Sequence, residues 1–183
     1  NGTTGQRVIL DIDGATFDAQ LFVFDPVGNI ITSNDDGFVN GGPNGNGLDA
    51  GSTTTEDAFL DFLVPANGLY IIAVGRADSV VSASGLSAGP SGLSIAPGDQ
   101  YRLHVSLENF FAPGVGEVFE VEPNNTFGTA QNVDAENFTN AFNANINNQA
   151  GTNVSTTIPY VIVRGTGNGT ADFYSVTATG GQT

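Results

Sequence analysis

An all-β sandwich is the fold this sequence predicts, and three observations predict it. Apolar residues alternate with period two along most of their runs, polar turn signals separate those runs, and only one short piece has helical character. The chain of 183 residues is 39% apolar with 13 Phe, enough for a substantial core in spite of 25 Gly. Residues 6–13 place Val8, Leu10 and Ile12 on one face, residues 20–25 pair Phe22 with Phe24, and residues 57–64 align Leu60, Phe62 and Val64. Residues 101–107 put Tyr101, Leu103, Val105 and Leu107 on one face and Arg102, His104 and Ser106 on the other, polar one. Further β-branched or aromatic runs fill 69–75, 160–164 and 172–179. Asp25-Pro26-Val27-Gly28-Asn29 and Pro65-Ala66-Asn67-Gly68 are turn signals. The helical piece is a turn or two near 126–133, with Asn124 and Asn125 as caps. About eight short strands result.

Two stretches lack a strand pattern: 34–56, rich in Gly, Asn, Asp and Thr, and 78–98, rich in Ser, Gly, Ala and Pro. Loops of such length usually carry function or an ion. The second, poor in charge, is expected to cover a surface or join units. Residues 108–118 read as a linker.

Charge narrows the function classes. Nineteen acids face four bases, Arg7, Arg76, Arg102 and Arg164, for a formal charge of −15. Neutralising phosphates needs Lys and Arg, so nucleic acid is excluded as a partner, and so is an anionic membrane surface. No apolar run approaches the ~20 residues of a membrane span, which excludes membrane insertion. The absence of Cys removes thiolate metal sites, thiol catalysis and disulfides. A Lys-free, acidic, Asn/Gly/Thr-rich composition is that of exported surface proteins, and five N-x-S/T sequons, at Asn1, Asn124, Asn137, Asn153 and Asn168, are compatible with an extracellular or cell-surface location.

Several motifs, in cyclic order, resemble one family. Glu120-Val121-Glu122-Pro123-Asn124-Asn125-Thr126 with Thr129-Ala130-Gln131 is similar to the opening of bacterial pre-peptidase C-terminal (PPC) domains, E-x-E-P-N-(N/D)-T-x-x-T-A. Asp172-Phe173-Tyr174-Ser175-Val176 through Gly181-Gln182 resembles the family's next strand. The continuation stands at the other end of the chain, in residues 8–14, 21–29 and Asn34-Asp35-Asp36, then 57–60, 68–75 and 98–106. The resemblance covers nearly the whole chain in circularly permuted order. It implies a jelly-roll-like antiparallel sandwich, found as tandem modules of exported proteins and often binding Ca²⁺. The family's ligand positions correspond to Glu120, Glu122, Asn124, Asn125 and Asp172. A further acid often precedes the D-x-Y strand, whereas Asn168-Gly169-Thr170-Ala171 stands there in this chain.

The resemblance also implies a division: 1–108 as the main part of a sandwich, 109–119 as linker, and 120–183 as the opening part of a domain. That opening part completes either its own sandwich or the next copy's. The linker and the open strand edges of an incomplete sandwich favour the next copy, and a head-to-tail contact that does not close makes a filament. The expected partner is therefore the protein itself, as homopolymer or tandem repeat.

Elementary coordination chemistry supports calcium independently. Ca²⁺ takes 6–8 hard oxygens from carboxylates, amides and carbonyls. Glu120 and Glu122, two apart on an extended segment, point the same way; the bland alternative is a pair of solvated acids with Asn124 as a cap. A second candidate is Asn34, Asp35 and Asp36 with Asp49 and Asp57, acids in a glycine-rich loop that wraps a cation or else forms a polar hairpin. The EF-hand spacing is absent.

Catalysis has few candidates. His104 is the one imidazole, predicted on a polar strand face as a surface or interface residue, and no G-x-S-x-G elbow occurs. Asp11 and Asp13 are paired carboxylates on a strand and read as structural. Phe110 and Phe111, adjacent in the linker, are either an interface anchor or tucked under a loop. The sequence thus predicts a non-catalytic, Ca-stabilised extracellular module of a surface filament or matrix. The alternative is a polysaccharide- or protein-polymer-binding accessory module of a secreted hydrolase.

Overall fold

In a computed structural model the described residues are 5–25, 27–37, 51–52, 54–82, 85–87, 94–110, 116–134, 138–146 and 155–180. Alternating apolar runs become strands: β1 (Arg7–Asp13), β2 (Ala19–Phe24), β3 (Ile30–Asn34), β4 (Phe59–Leu63), β5 (Gly68–Arg76), β6 (Val80–Ser82), β7 (Gly85–Ser87), β8 (Gln100–Leu107), β9 (Glu117–Phe119), β10 (Gln131–Asn132), β11 (Tyr160–Thr166) and β12 (Asp172–Ala178). The expected helical piece is one 3-10 turn, Phe127–Thr129, closed by reciprocal Thr126 and Thr129 hydrogen bonds. Asn124 and Asn125 do not cap it.

Two five-stranded sheets form, in the orders β4-β1-β8-β11-β9 and β10-β12-β5-β2-β3, with β6-β7 as a separate hairpin. The central pairings are antiparallel, as expected. The pairs β9–β11 and β10–β12 are parallel, because the segment 117–132 feeds one edge of each sheet in turn without reversing. Between the sheets lie the inward residues of each strand: Val8, Leu10 and Ile12 of β1, Leu21 and Val23 of β2, Tyr70, Ile72 and Val74 of β5, Leu103 and Val105 of β8, Val161 and Val163 of β11 and Tyr174 and Val176 of β12.

Phe22 and Phe24 share a face as predicted, but it is the outer face of the second sheet. With Ala73 and Phe173 they make a separate buried cluster. Phe127 of the 3-10 turn covers it edge-on, 4.8 Å from Phe24 and 5.4 Å from Phe173, and Val81 and Leu86 of the β6–β7 hairpin pack beside it. Part of the 78–98 stretch thus contains strands that cover a surface. Replacing Phe173, fully buried, by Ala should cost about 3–5 kcal/mol in urea unfolding, as a large cavity opens under the turn.

The C-terminal portion packs onto the N-terminal portion of the same chain. Seven residues of β12 pair with β5, and β11 pairs along β8. Gln6 N donates to Thr179 O at 2.8 Å, and Thr179 N to Gln6 Oε1 at 3.0 Å, so the end of β12 lies against the start of β1. Within the single chain, strands of the C-terminal portion thus stand in the same two sheets as those of the N-terminal portion. Phe110 is partly buried, its ring 4.6 Å from that of Phe138 and packed against the main core, an apolar contact that removes part of it from water. Phe111 lies outside the described residues.

Candidate metal centre

The inward faces of β8 and β12 begin with Tyr101 and Asp172, which therefore meet between the sheets at one end of the sandwich. The segment after β9 crosses that end. It is held by Glu120 N donating to Arg164 O at 3.0 Å and by Phe173 N donating to Asn124 O at 2.9 Å. Glu120, Glu122 and Asp172 are thereby brought together, each offering an oxygen, all within 4.8 Å of one another.

Donors from the surrounding chain fix each group. Glu120 Oε1 accepts from Asn124 Nδ2 at 2.8 Å and from the Tyr174 hydroxyl at 2.9 Å, and its Oε2 accepts from Thr166 N at 2.8 Å. Glu122 accepts from Asn124 N at 3.0 Å and from the Asn168 side-chain amide. Asn168 is oriented in turn by Thr170, whose N–H donates to Asn168 Oδ1 at 3.0 Å. Where the family often has a further acid, this chain thus has a donor that steadies Glu122.

Two buried oxygens in this cluster, Asn124 Oδ1 and Asp172 Oδ1, have no hydrogen-bond partner among the described residues, and both side chains are fully buried. Burying acceptors without partners is costly. A cation satisfies them, and the donor set is all oxygen. Opposed ligands on one Ca²⁺ stand about 5 Å apart, which the cluster's span accommodates. The residues fit calcium. Asn125 lies at the rim, its Oδ1 accepting from Asn168 Nδ2 at 3.3 Å.

Burial, the larger cause, and then the Glu120 charge push the Asp172 carboxyl up to about 8, and burial also raises the Tyr101 and Tyr174 hydroxyls. Proton counting agrees. Three contacts link Asp172 to Tyr101 (2.7 Å), Tyr101 to Tyr174 (2.6 Å) and Tyr174 to Glu120, yet two hydroxyls hold two protons. A proton on Asp172 supplies the third; a cation removes the need for it. Neither tyrosine was among the sequence candidates, although both occupy strand positions adjoining the acids.

Of the second sequence candidate, Asn34, Asp35, Asp36 and Asp57 are among the described residues. Asn34 turns inward on the backbone, donating to Phe59 O at 2.9 Å, while Asp35 and Asp36 are exposed. Asp57 is buried and accepts from Ala15 N at 2.9 Å and Gly14 N at 3.3 Å, holding the turn after β1. Among the described residues these acids do not converge as metal-type ligands, because Asp57 is oriented by the β1–β2 turn. Asp49 lies outside the described residues.

His104 corrects another expectation. It is 1% exposed rather than on the surface, for the outer face of β8 is itself covered at this point. Burial, chiefly, and then the Arg102 guanidinium push its imidazole down to about 4, against the pull of Glu117. Asn124, fully buried, offers its sequon to no glycosylating enzyme in the folded state.

Fold and site together define a β-sandwich module with an all-oxygen cluster of acids at one end. Residues 1–76 match the model of the bacterial pre-peptidase C-terminal domain family, so the resemblance carried by the motifs is shown over that part of the chain. The segment that supplies Glu120, Glu122 and Asp172 lies beyond the matched residues. No curated protein and no solved structure matches the chain. Among the described residues no helix is long and apolar enough to cross a membrane.

Proposed function

We propose that the chain is a non-catalytic, calcium-stabilised module of the pre-peptidase C-terminal type in circularly permuted order. It works outside the cell as a subunit or tandem repeat of a surface filament or matrix. The observation that carries this reading is the convergence of Glu120, Glu122 and Asp172 around two orphaned buried oxygens. Calcium there ties the segment after β9 to β12, and so helps the C-terminal portion close the sandwich. The family match and the acidic, Lys-free composition support an extracellular role. Assembly is supported by edge strands β3 and β4, on whose outer sides no strand pairs among the described residues and where Ile30 and Leu63 are about half exposed. Sedimentation and electron microscopy with and without Ca²⁺ test it: polymers in calcium are the expected result. A calcium-loaded monomer that binds an insoluble polysaccharide or collagen-like polymer favours the accessory-module reading instead.

Calcium affinity should depend on pH with a definite sign. The folded carboxyl of Asp172 is raised to about 8, above its unfolded value, so the ion-free folded state holds a proton that the unfolded chain releases from about pH 4 upward. The ion-free protein therefore loses stability between about pH 4 and pH 8. Calcium displaces that proton, so affinity rises by up to about tenfold per pH unit and levels off above about 8. Calorimetry at pH 7 in buffers of different ionisation enthalpy should show about one proton released per ion. No buffer dependence and a flat affinity from pH 5 to 8 would contradict the assignment of Asp172.

A further inference from the structure

A second cluster lies on the opposite face of the first sheet, away from the calcium-type site. Tyr101 and Leu103 of β8 point between the sheets, so His104 points outward, directly across from Asp11 of β1. Asp13, two residues along, is on the same outer face. His104 Nδ1 stands 3.9 Å from Asp11 Oδ2, and its Nε2 stands 3.6 Å from Asp13 Oδ2. One atom from each of the three residues falls within 4.8 Å of the others.

An outward strand face is ordinarily wet, yet all three residues are 1% exposed. Among the described residues neither ring nitrogen of His104 has a hydrogen-bond partner. A buried imidazole normally has at least one nitrogen bonded, because leaving both unpaired is costly. Ser106, next on the same face of β8, also buries an unpartnered hydroxyl. Gly51 comes so close that a Cβ there would run into the Asp13 carboxylate, and its φ of +102° is one that glycine tolerates.

We propose that Asp11, Asp13 and His104 form a second metal site, for a borderline divalent transition ion of the zinc class. Two carboxylates neutralise such an ion, and an imidazole nitrogen suits it while suiting calcium poorly. The separations of 3.6 and 3.9 Å are too long for hydrogen bonds, and they run to different ring nitrogens. One zinc takes one imidazole nitrogen with one oxygen of each carboxylate, a set that here falls within 4.8 Å and closes in on the ion when it binds. The three ligands leave the fourth position to water or to Ser106. Because the site is covered, the ion enters as the chain folds around it.

The test is to refold the chain with Zn²⁺ and excess Ca²⁺, dialyse against Ca²⁺ alone and measure bound metal by mass spectrometry. One zinc per chain is expected in the wild type and in Glu120→Gln, and less than a tenth of that in His104→Gln. A zinc-free wild type overturns the proposal, as does zinc retained by His104→Gln or lost by Glu120→Gln. The chain has one histidine, so its ring ¹⁵N resonances give a second reading that needs no variant. A metal-type shift of one ring nitrogen in the zinc-refolded protein supports the site, and unchanged resonances overturn it.

Discussion

Chelating calcium should lower the melting temperature by roughly 5–10 °C. A ligand present at a hundred times its dissociation constant and bound only by the folded state adds about 2.7 kcal/mol, and in a domain of this size each kcal/mol moves the midpoint by about 2–4 °C. Glu120 is the residue to change, since it accepts from Asn124, Thr166 and Tyr174 and stands beside Asp172. Refolded without zinc, Glu120→Gln should melt at the same temperature with and without EDTA, near the chelated wild type refolded in the same way. The wild-type curve must respond to EDTA; if it does not, the calcium reading fails. The substitution also separates the two metal proposals, because His104 and its carboxylates lie on the other face of the sheet.

A chain ending at residue 108 should not fold. It would lose β11 and β12, leaving long open edges on β8 and β5. It would also lose Val161, Val163, Tyr174 and Val176, four fully or nearly fully buried core side chains. At about 1.5–3 kcal/mol each these sum to roughly 6–12 kcal/mol, comparable with the whole stability of a domain. Circular dichroism of the truncated chain should show no cooperative unfolding, and adding a separate 109–183 fragment should restore it. A truncated chain that folds alone would refute the completion of one sandwich by both portions. Restoration by a fragment in trans would also show that the same pairing is open to a neighbouring copy.

The sequence by itself determined the strands that bear the core, because alternation reports which residues share a face. Val8, Leu10 and Ile12, or Tyr101, Leu103 and Val105, leave no other solution with period two. The motifs' resemblance to the pre-peptidase C-terminal family implied Glu120, Glu122, Asn124, Asn125 and Asp172 as one ligand set, while spacing by itself paired only Glu120 with Glu122. Other features were decided only by tertiary structure. Strands such as β9, Glu117-Val118-Phe119, have too few residues for a pattern and exist because β11 offers them an open edge. Alternation says that His104 and Leu103 face opposite ways but not whether the second face is covered, and so a buried imidazole between two carboxylates read as a surface residue. Phe22 and Phe24 likewise read as main core, whereas a turn and a hairpin far along the chain cover them on the outside of the sheet. The hydroxyls of Tyr101 and Tyr174 meet Asp172 and Glu120 for the same reason. Period two is written in neighbouring residues, but burial, partners and charge depend on segments many tens of residues away that only folding brings near.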